Sequence, residues 1–126
     1  MSKERISLGK MGEDLACSYL KDHGLAIVTR NYRQKSGEID IIAQDQACLV
    51  FVEVKTRRSL RFGQPFEAVT LKKQSQISRV ALDYMTRHKL SDQPARFDVI
   101  SIVMAADGKA EIEHLTNCFE AAISSY

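Results

Sequence analysis

The chain has 126 residues, the size of one ordinary domain, and is long enough to bury a core without disulfide or metal staples. With 44% hydrophobic and 27% charged residues, the composition excludes a long disordered chain, and a net charge of +2 does not by itself point to nucleic acid. No apolar run approaches the ~20 residues that cross a bilayer, and the stretch from Met1 to Lys10 lacks the apolar segment of a secretory signal, so a cytoplasmic location away from membranes is expected.

Along the chain, Leu8, Met11, Leu15, Tyr19 and Leu20 recur at helical steps, which predicts a helix from about Ser7 to His23. Ser7 is placed to cap it and Gly24 to stop it. Leu25 to Thr29 reads as a short strand, Arg30 to Gly37 as a polar loop, and Glu38 to Ala43 as a second strand. After a turn at Gln44 to Ala47 comes a third strand, Cys48 to Lys55. Its run Leu49-Val50-Phe51-Val52 is apolar on both faces, the mark of a central strand. Thr56 to Ala68, with Gly63 and Pro65, reads as a loop. Thr70 then caps a second helix reaching about Lys89, with Leu71, Ile77, Val80, Ala81, Leu82, Tyr84 and Met85 on its apolar side. Arg96 to Met104 is a strand, Asp107-Gly108 a hairpin signal and Ala110 to Leu115 the returning strand. The residues beyond form a short helix or fray. Three consecutive strands make a meander, and the second helix crosses over to bring the fourth strand beside the third. The expectation is a single α/β domain over residues 1–126, with a mixed central sheet flanked by helices.

Cys17, Cys48 and Cys118 are far apart, odd in number and form no C-x-x-C pair, so they read as buried or half-buried thiols. His23, His88 and His114 have no mutual spacing that suggests a metal or a triad. Basic residues gather at Arg30, Arg33 and Lys35, at Lys55, Arg57, Arg58 and Arg61, and at Lys72 and Lys73. Such clusters neutralise phosphates, and they are equally the make-up of solvated loops.

Two strands carry residues a buried sheet does not need. Glu38 and Asp40 lie on one face of their strand, and Glu53 and Lys55 on one face of theirs, because strand side chains alternate. If the two strands pair through the turn near Asp45 and Gln46, Asp40 lands within about two positions of Glu53. Facing carboxylates near an apolar core repel each other and resist ionisation. A hard divalent cation, Mg²⁺ or Mn²⁺, relieves both costs, and Lys55 then orients or activates a water beside it. The competing account is that Glu53 and Lys55 mark the exposed end of a buried strand, with Asp40 paired to Lys55.

Asp40 followed by Glu53-Val54-Lys55 resembles the D…(D/E)-x-K signature of the PD-(D/E)XK nuclease superfamily. Gly12-Glu13, Arg30-Asn31-Tyr32-Arg33, Gly37-Glu38-Ile39-Asp40, Phe51 to Arg57, Phe62-Gly63 and Arg96-Phe97-Asp98-Val99-Ile100 appear in order. Together they resemble the bacterial YraN-like family of predicted endonucleases, itself similar to archaeal Holliday-junction resolvases. The resemblance covers about Leu8 to Leu115. It implies a restriction-endonuclease-like three-layer core. It also implies Asp40 and Glu53 as the principal metal ligands, Lys55 as the catalytic lysine, and Glu13 as a third acid reaching the same site. The superfamily's proline before the aspartate is absent here, where Ile39 stands. Glu38 is either a further ligand or a partner for a basic residue. Lys73 and Gln74 fall where related nucleases shape the site or touch substrate. A helix N-terminus favours an anion there, and a solvated first turn is the alternative.

The expected function is therefore metal-dependent hydrolysis of phosphodiester bonds in DNA, directed at branched or junction structures. Arg33, Arg57, Arg58, Lys73 and Gln74 are the candidate substrate contacts. The resolvase likeness implies a homodimer, since a junction has two strands to cut symmetrically. Two other classes compete: a nucleic-acid-binding or protein-interaction module that keeps the fold without catalysis, and a structural protein whose charges form an internal ion-pair network.

Overall fold

The computed structural model describes residues 3–58 and 69–119, with side chains described over 8–58 and 69–118. The chain runs through α1 (Lys3–Asp22), β1 (Ala26–Gln34), β2 (Gly37–Asp45), β3 (Cys48–Arg57), α2 (Leu71–Arg87), β4 (Ala95–Met104) and β5 (Ala110–Phe119). The strands form one sheet in the order β1-β2-β3-β4-β5. β3 and β4 run parallel, and the other pairs are antiparallel. The expected meander, crossover helix and mixed sheet are all present.

The helices cover opposite faces. Ala16, Cys17 and Leu20 of α1 pack with Ile41, Ala43, Val50, Val52, Ile100 and Ile102. Ile77, Val80, Ala81 and Tyr84 of α2 pack with Ile42, Leu49, Phe51, Phe97 and Val99 on the other side. Alternate residues of β3 thus go to opposite cores, which is why its sequence is apolar throughout.

α1 begins at Lys3, so Ser7 lies inside the helix and does not cap it. Lys3-Glu4-Arg5 are good helix formers and extend it backward past Ser7. Its end is as expected. Gly24 adopts φ +87, the Gly24 N–H donates to Lys21 O at 3.0 Å, and the Leu25 N–H donates to Leu20 O at 3.0 Å. These paired bonds close the last turn and bring Leu25 onto Leu20. On α2, Thr70 Oγ1 accepts from the Lys73 N–H at 3.2 Å, the expected cap.

Of the expected loop at Arg30 to Gly37, Arg30 to Gln34 is instead the second half of β1, paired Arg30↔Ile41, Tyr32↔Ile39 and Arg33↔Glu38, while Lys35 and Ser36 make the turn and Gly37 opens β2. Tyr32 supplies the reason. Its ring meets Tyr84 edge-on at 5.2 Å and its hydroxyl donates to Asp83 at 3.1 Å, so one aromatic holds an otherwise polar edge strand against α2. β3 continues through Thr56 and Arg57, which were expected in the following loop. β5 runs four residues past Leu115, with a register shift opposite the Phe97–Val99 segment. The rest of that expected loop, including Arg61, Phe62, Gly63 and Pro65, lies outside the described residues, as does the end of the chain after Phe119.

Helix α1 comes close to β3 at Gly12. A Cβ there would overlap the Thr56 hydroxyl and stand 2.9 Å from its methyl. Replacing Gly12 by Ala should destabilise the fold by roughly 1–3 kcal/mol, with part of the loss restored by adding Thr56→Ala. Thermal melts of the two single variants and the double variant test the coupling. Additive losses would show that the close approach is not what requires glycine.

Candidate functional site

The β2–β3 ladder ends at Ile41↔Val52. One step further along that register stand Asp40 and Glu53, facing each other. The backbone pairing stops there, and Asp40 Oδ2 instead accepts the Val54 N–H at 2.8 Å. A carboxylate has taken the place of a strand carbonyl. β3 meanwhile keeps its pairing with β4, from Leu49↔Ala95 to Arg57↔Val103, so Glu53 is held on a rigid central strand.

Glu53 lies on the α2 face with Leu49 and Phe51, its side chain 7% exposed. Two ammonium groups stand over Oε1, Lys55 Nζ at 3.6 Å and Lys73 Nζ at 3.6 Å. Lys55 therefore contacts Glu53, and Asp40's recorded hydrogen bond is to Val54. Burial and the facing Glu53 carboxylate push Asp40 up to about 7, against the Val54 N–H that pulls it down; Glu13 and Glu38 add to the upward push. Glu53 is also raised, by burial first, with Lys73 and Lys55 opposing. The two carboxyls titrate as a unit, and near neutral pH that unit holds on to a proton.

The third acid reaches this region from α1. Glu13 Oε1 accepts from Arg30 Nε at 3.0 Å and from Asn31 Nδ2 at 2.9 Å. Neighbouring strand residues ordinarily point to opposite faces. Asn31 takes a left-handed φ of 54°, which lets both side chains meet one carboxylate. Asn tolerates that conformation better than most residues. The same arginine pairs with Asp14 at 2.7 Å. The sequence shows the Arg30-Asn31 pair but not this clamp, because strand alternation forbids it without the kink.

Among the other expected residues, Glu38 pairs with Arg33 at 3.2 Å, and Arg33 is 75% exposed. Arg57 and Arg58 follow Lys55 at the end of β3, Arg58 exposed. Gln74 Nε2 donates to Val69 O at 3.0 Å and holds the turn into α2. The cysteines are unpaired thiols, Cys17 buried and the other two half-buried. The histidines hold structure. His23 bonds the Tyr19 carbonyl, His88 packs on Tyr84, and His114 bonds Asp98.

Among the described residues no three His, Cys, Asp or Glu side chains are grouped to cage an ion by themselves. Two facing carboxylates are the donor set instead. That set fits a hard cation which keeps most of its shell as water and substrate oxygens, the habit of Mg²⁺, and it does not fit a structural zinc.

A five-stranded mixed sheet between two helices, with acids and a lysine where two central strands part, defines an α/β protein with a nuclease-like three-layer core. The chain belongs to the Uncharacterised protein family UPF0102, whose model matches residues 12–102. It is 45% identical over 123 residues to a UPF0102 protein of Trichlorobacter lovleyi, covering 97% of each chain. It is 51% identical over 115 residues to one of Geobacter sulfurreducens, covering 91% of this chain and 90% of that one. A UPF0102 protein of Nocardia farcinica is 45% identical over 116 residues, 92% of this chain and 91% of its own. No helix among the described residues is long and apolar enough to cross a membrane.

The raised Asp40 carboxyl fixes the sign of a pH effect. The folded protein keeps a proton that the unfolded chain has lost between pH 3.8 and about 7. Metal-free stability at this site is therefore full below that window and is lost as pH rises through it. Asp40→Asn should raise stability at pH 8, by an amount on the order of 1–2 kcal/mol, and do so far less at pH 4. Melts of both proteins in chelator across that range decide the matter. A variant less stable at pH 8 than the parent would show that the carboxylate is structural.

Proposed function

We propose that this protein is a metal-dependent nuclease that hydrolyses phosphodiester bonds of DNA, preferring branched or junction structures to particular sequences. The observation that supports it is the facing pair of a half-buried Asp40 and a buried Glu53, both above the usual carboxylate range, beside an ammonium. A structural ion pair does not need two acids pressed together, whereas a cation site does.

Asp40 and Glu53 are the residues that would hold Mg²⁺ or Mn²⁺. Bound there, such an ion would supply Lewis acidity toward the scissile phosphate and toward a water. Lys55, fixed two residues past Glu53 on the same strand face, orients that water and offsets charge developing on the phosphate. Glu13, held by Arg30 and Asn31, adds negative charge from the α1 side. Arg33, Arg57, Arg58 and Lys73 contact the substrate backbone, contacts that position a duplex without reading bases. Gln74 shapes the turn beneath Lys73. A junction presents two equivalent strands, and a twofold homodimer would match them.

The rival reading is a nucleic-acid-binding module that keeps the fold without catalysis. The commitment of Glu13 to Arg30 and Asn31 favours it, since that acid is not aimed freely at an ion.

A panel of four-way junctions, flaps, duplexes and single strands, in Mg²⁺ and in Mn²⁺, separates the two. The wild type should cut branched DNA. Asp40→Asn, Glu53→Gln and Lys55→Ala should each lose roughly 10²–10³-fold or more in rate while still binding it. A well-folded wild type that binds junctions but neither binds metal nor cuts any member of the panel would establish the binding module instead.

A further inference from the structure

Two lysines share one oxygen of Glu53, and they are not equivalent. Each ammonium stands 3.6 Å from Oε1, beyond ordinary hydrogen-bond length. Other ion pairs in the molecule close further, Arg30–Asp14 to 2.7 Å, Arg96–Asp45 to 3.0 Å and Arg96–Asp98 to 3.1 Å. Glu53 is thus neutralised by cations that are attracted to it without being locked in place.

Lys55 belongs to the same strand, in a stretch whose pairing with β4 runs on to Arg57↔Val103. Lys73 comes from a separate element, the first turn of α2, with a side chain 34% exposed against 29% for Lys55. That first turn holds no acidic residue and also carries Lys72. The positive end of the helix therefore repels the Lys73 ammonium, and the Glu53 carboxylate offsets the repulsion.

An ion held between Asp40 and Glu53 requires both carboxylates ionised, and in that state they balance the two ammoniums. A divalent ion between Asp40 and Glu53 upsets that balance and leaves ammonium charge in surplus beside it. The surplus is costly in a partly buried space. Of the two lysines, Lys73 is the one tethered to a different element.

We infer that Lys73 is a resident counter-ion of Glu53 that competes with the divalent cation and is released when the ion binds. This rests on the metal-site reading above. Lys73 is in this sense a positioning residue. It neutralises Glu53 while the ion is away, sets how tightly the ion is held, and becomes available to a phosphate after the ion has arrived. Metal then strengthens nucleic-acid binding, and nucleic acid strengthens metal binding by the same factor.

Mn²⁺ alone is the probe. Calorimetric titration should show Lys73→Met binding Mn²⁺ about two- to fivefold tighter than wild type, the range that loss of a partly exposed competing charge supplies. Lys73→Gln is the second variant, and melts confirm that both are folded. In the unmutated protein, acetylation of the Lys73 amine, followed by mass spectrometry, should speed up several-fold in Mn²⁺. In Asp40→Asn it should not respond. Mn²⁺ binding that is unchanged or weaker in both variants, or labelling of Lys73 that ignores Mn²⁺, overturns the inference and leaves the metal site standing. A folded wild type that binds no Mn²⁺ overturns both.

Discussion

Two acids set against each other where β2 and β3 separate are the constraint around which this molecule is arranged. Neither acid is where a sheet would place it for its own stability. Desolvation favours their neutral forms, and each charge makes the other harder to keep. The surrounding structure answers with partial remedies: the Val54 N–H on Asp40 and two loosely held ammoniums on Glu53. None of these is a close ionic partner for Asp40. The neighbours are fixed in turn, with Lys55 on the strand that β4 continues to pair and Glu13 clamped from β1.

The same sheet contains a buried aspartate handled in the opposite way. Asp98 of β4 has a fully buried side chain. It accepts from Arg96, and it bonds His114 at 2.7 Å and the Asn117 N–H at 2.9 Å. Burial pushes its carboxyl up, but the bonds from His114, Asn117 and Arg96 outweigh burial and hold it below the usual range. Arg96 extends the network to Asp45. One aspartate is satisfied by Arg96, His114 and the Asn117 N–H and pins the end of β5, while the other has the Val54 N–H and a facing carboxylate. Stability at Asp98 is present above the ordinary aspartate range and is lost as pH falls below it, the reverse of Asp40. This contrast supports the proposal that Asp40 and Glu53 are more than structural charges.

Much of this was legible from residue order. Alternation along two strands put Asp40 with Glu38 and Glu53 with Lys55, and the short turn between the strands limited the register enough to bring Asp40 and Glu53 together. The apolar run through Val52 marked β3 as central, and the spacing of the remaining elements gave the crossover. What stayed hidden depended on contacts between distant segments. The second half of β1 looks polar because a single tyrosine, against α2, holds it in the sheet. The clamp on Glu13 needs a left-handed residue in mid-strand, which no periodicity reveals. Gly12 reads as a weak helix residue until Thr56 is seen beneath it. Asp98 has a short-range partner in Arg96, but its other bonds come from β5: His114, whose pairing across the sheet no spacing reveals, and Asn117, past the predicted end of that strand.

The parallel seam between β3 and β4 has a consequence for the chain as it is made. Residues 26–57 can pair locally as soon as they emerge, but the partner for the far side of β3 begins at Ala95. Until then β3, with its apolar run Leu49 to Val52, shows an open edge, the kind of surface that recruits other chains. Glu53 and Lys55 sit immediately after that apolar run, and charges flanking a sticky segment discourage such pairing. Residues that strain the finished sheet thus guard the unfinished one, and neutralising them would exchange a more stable native state for a nascent chain more prone to aggregate.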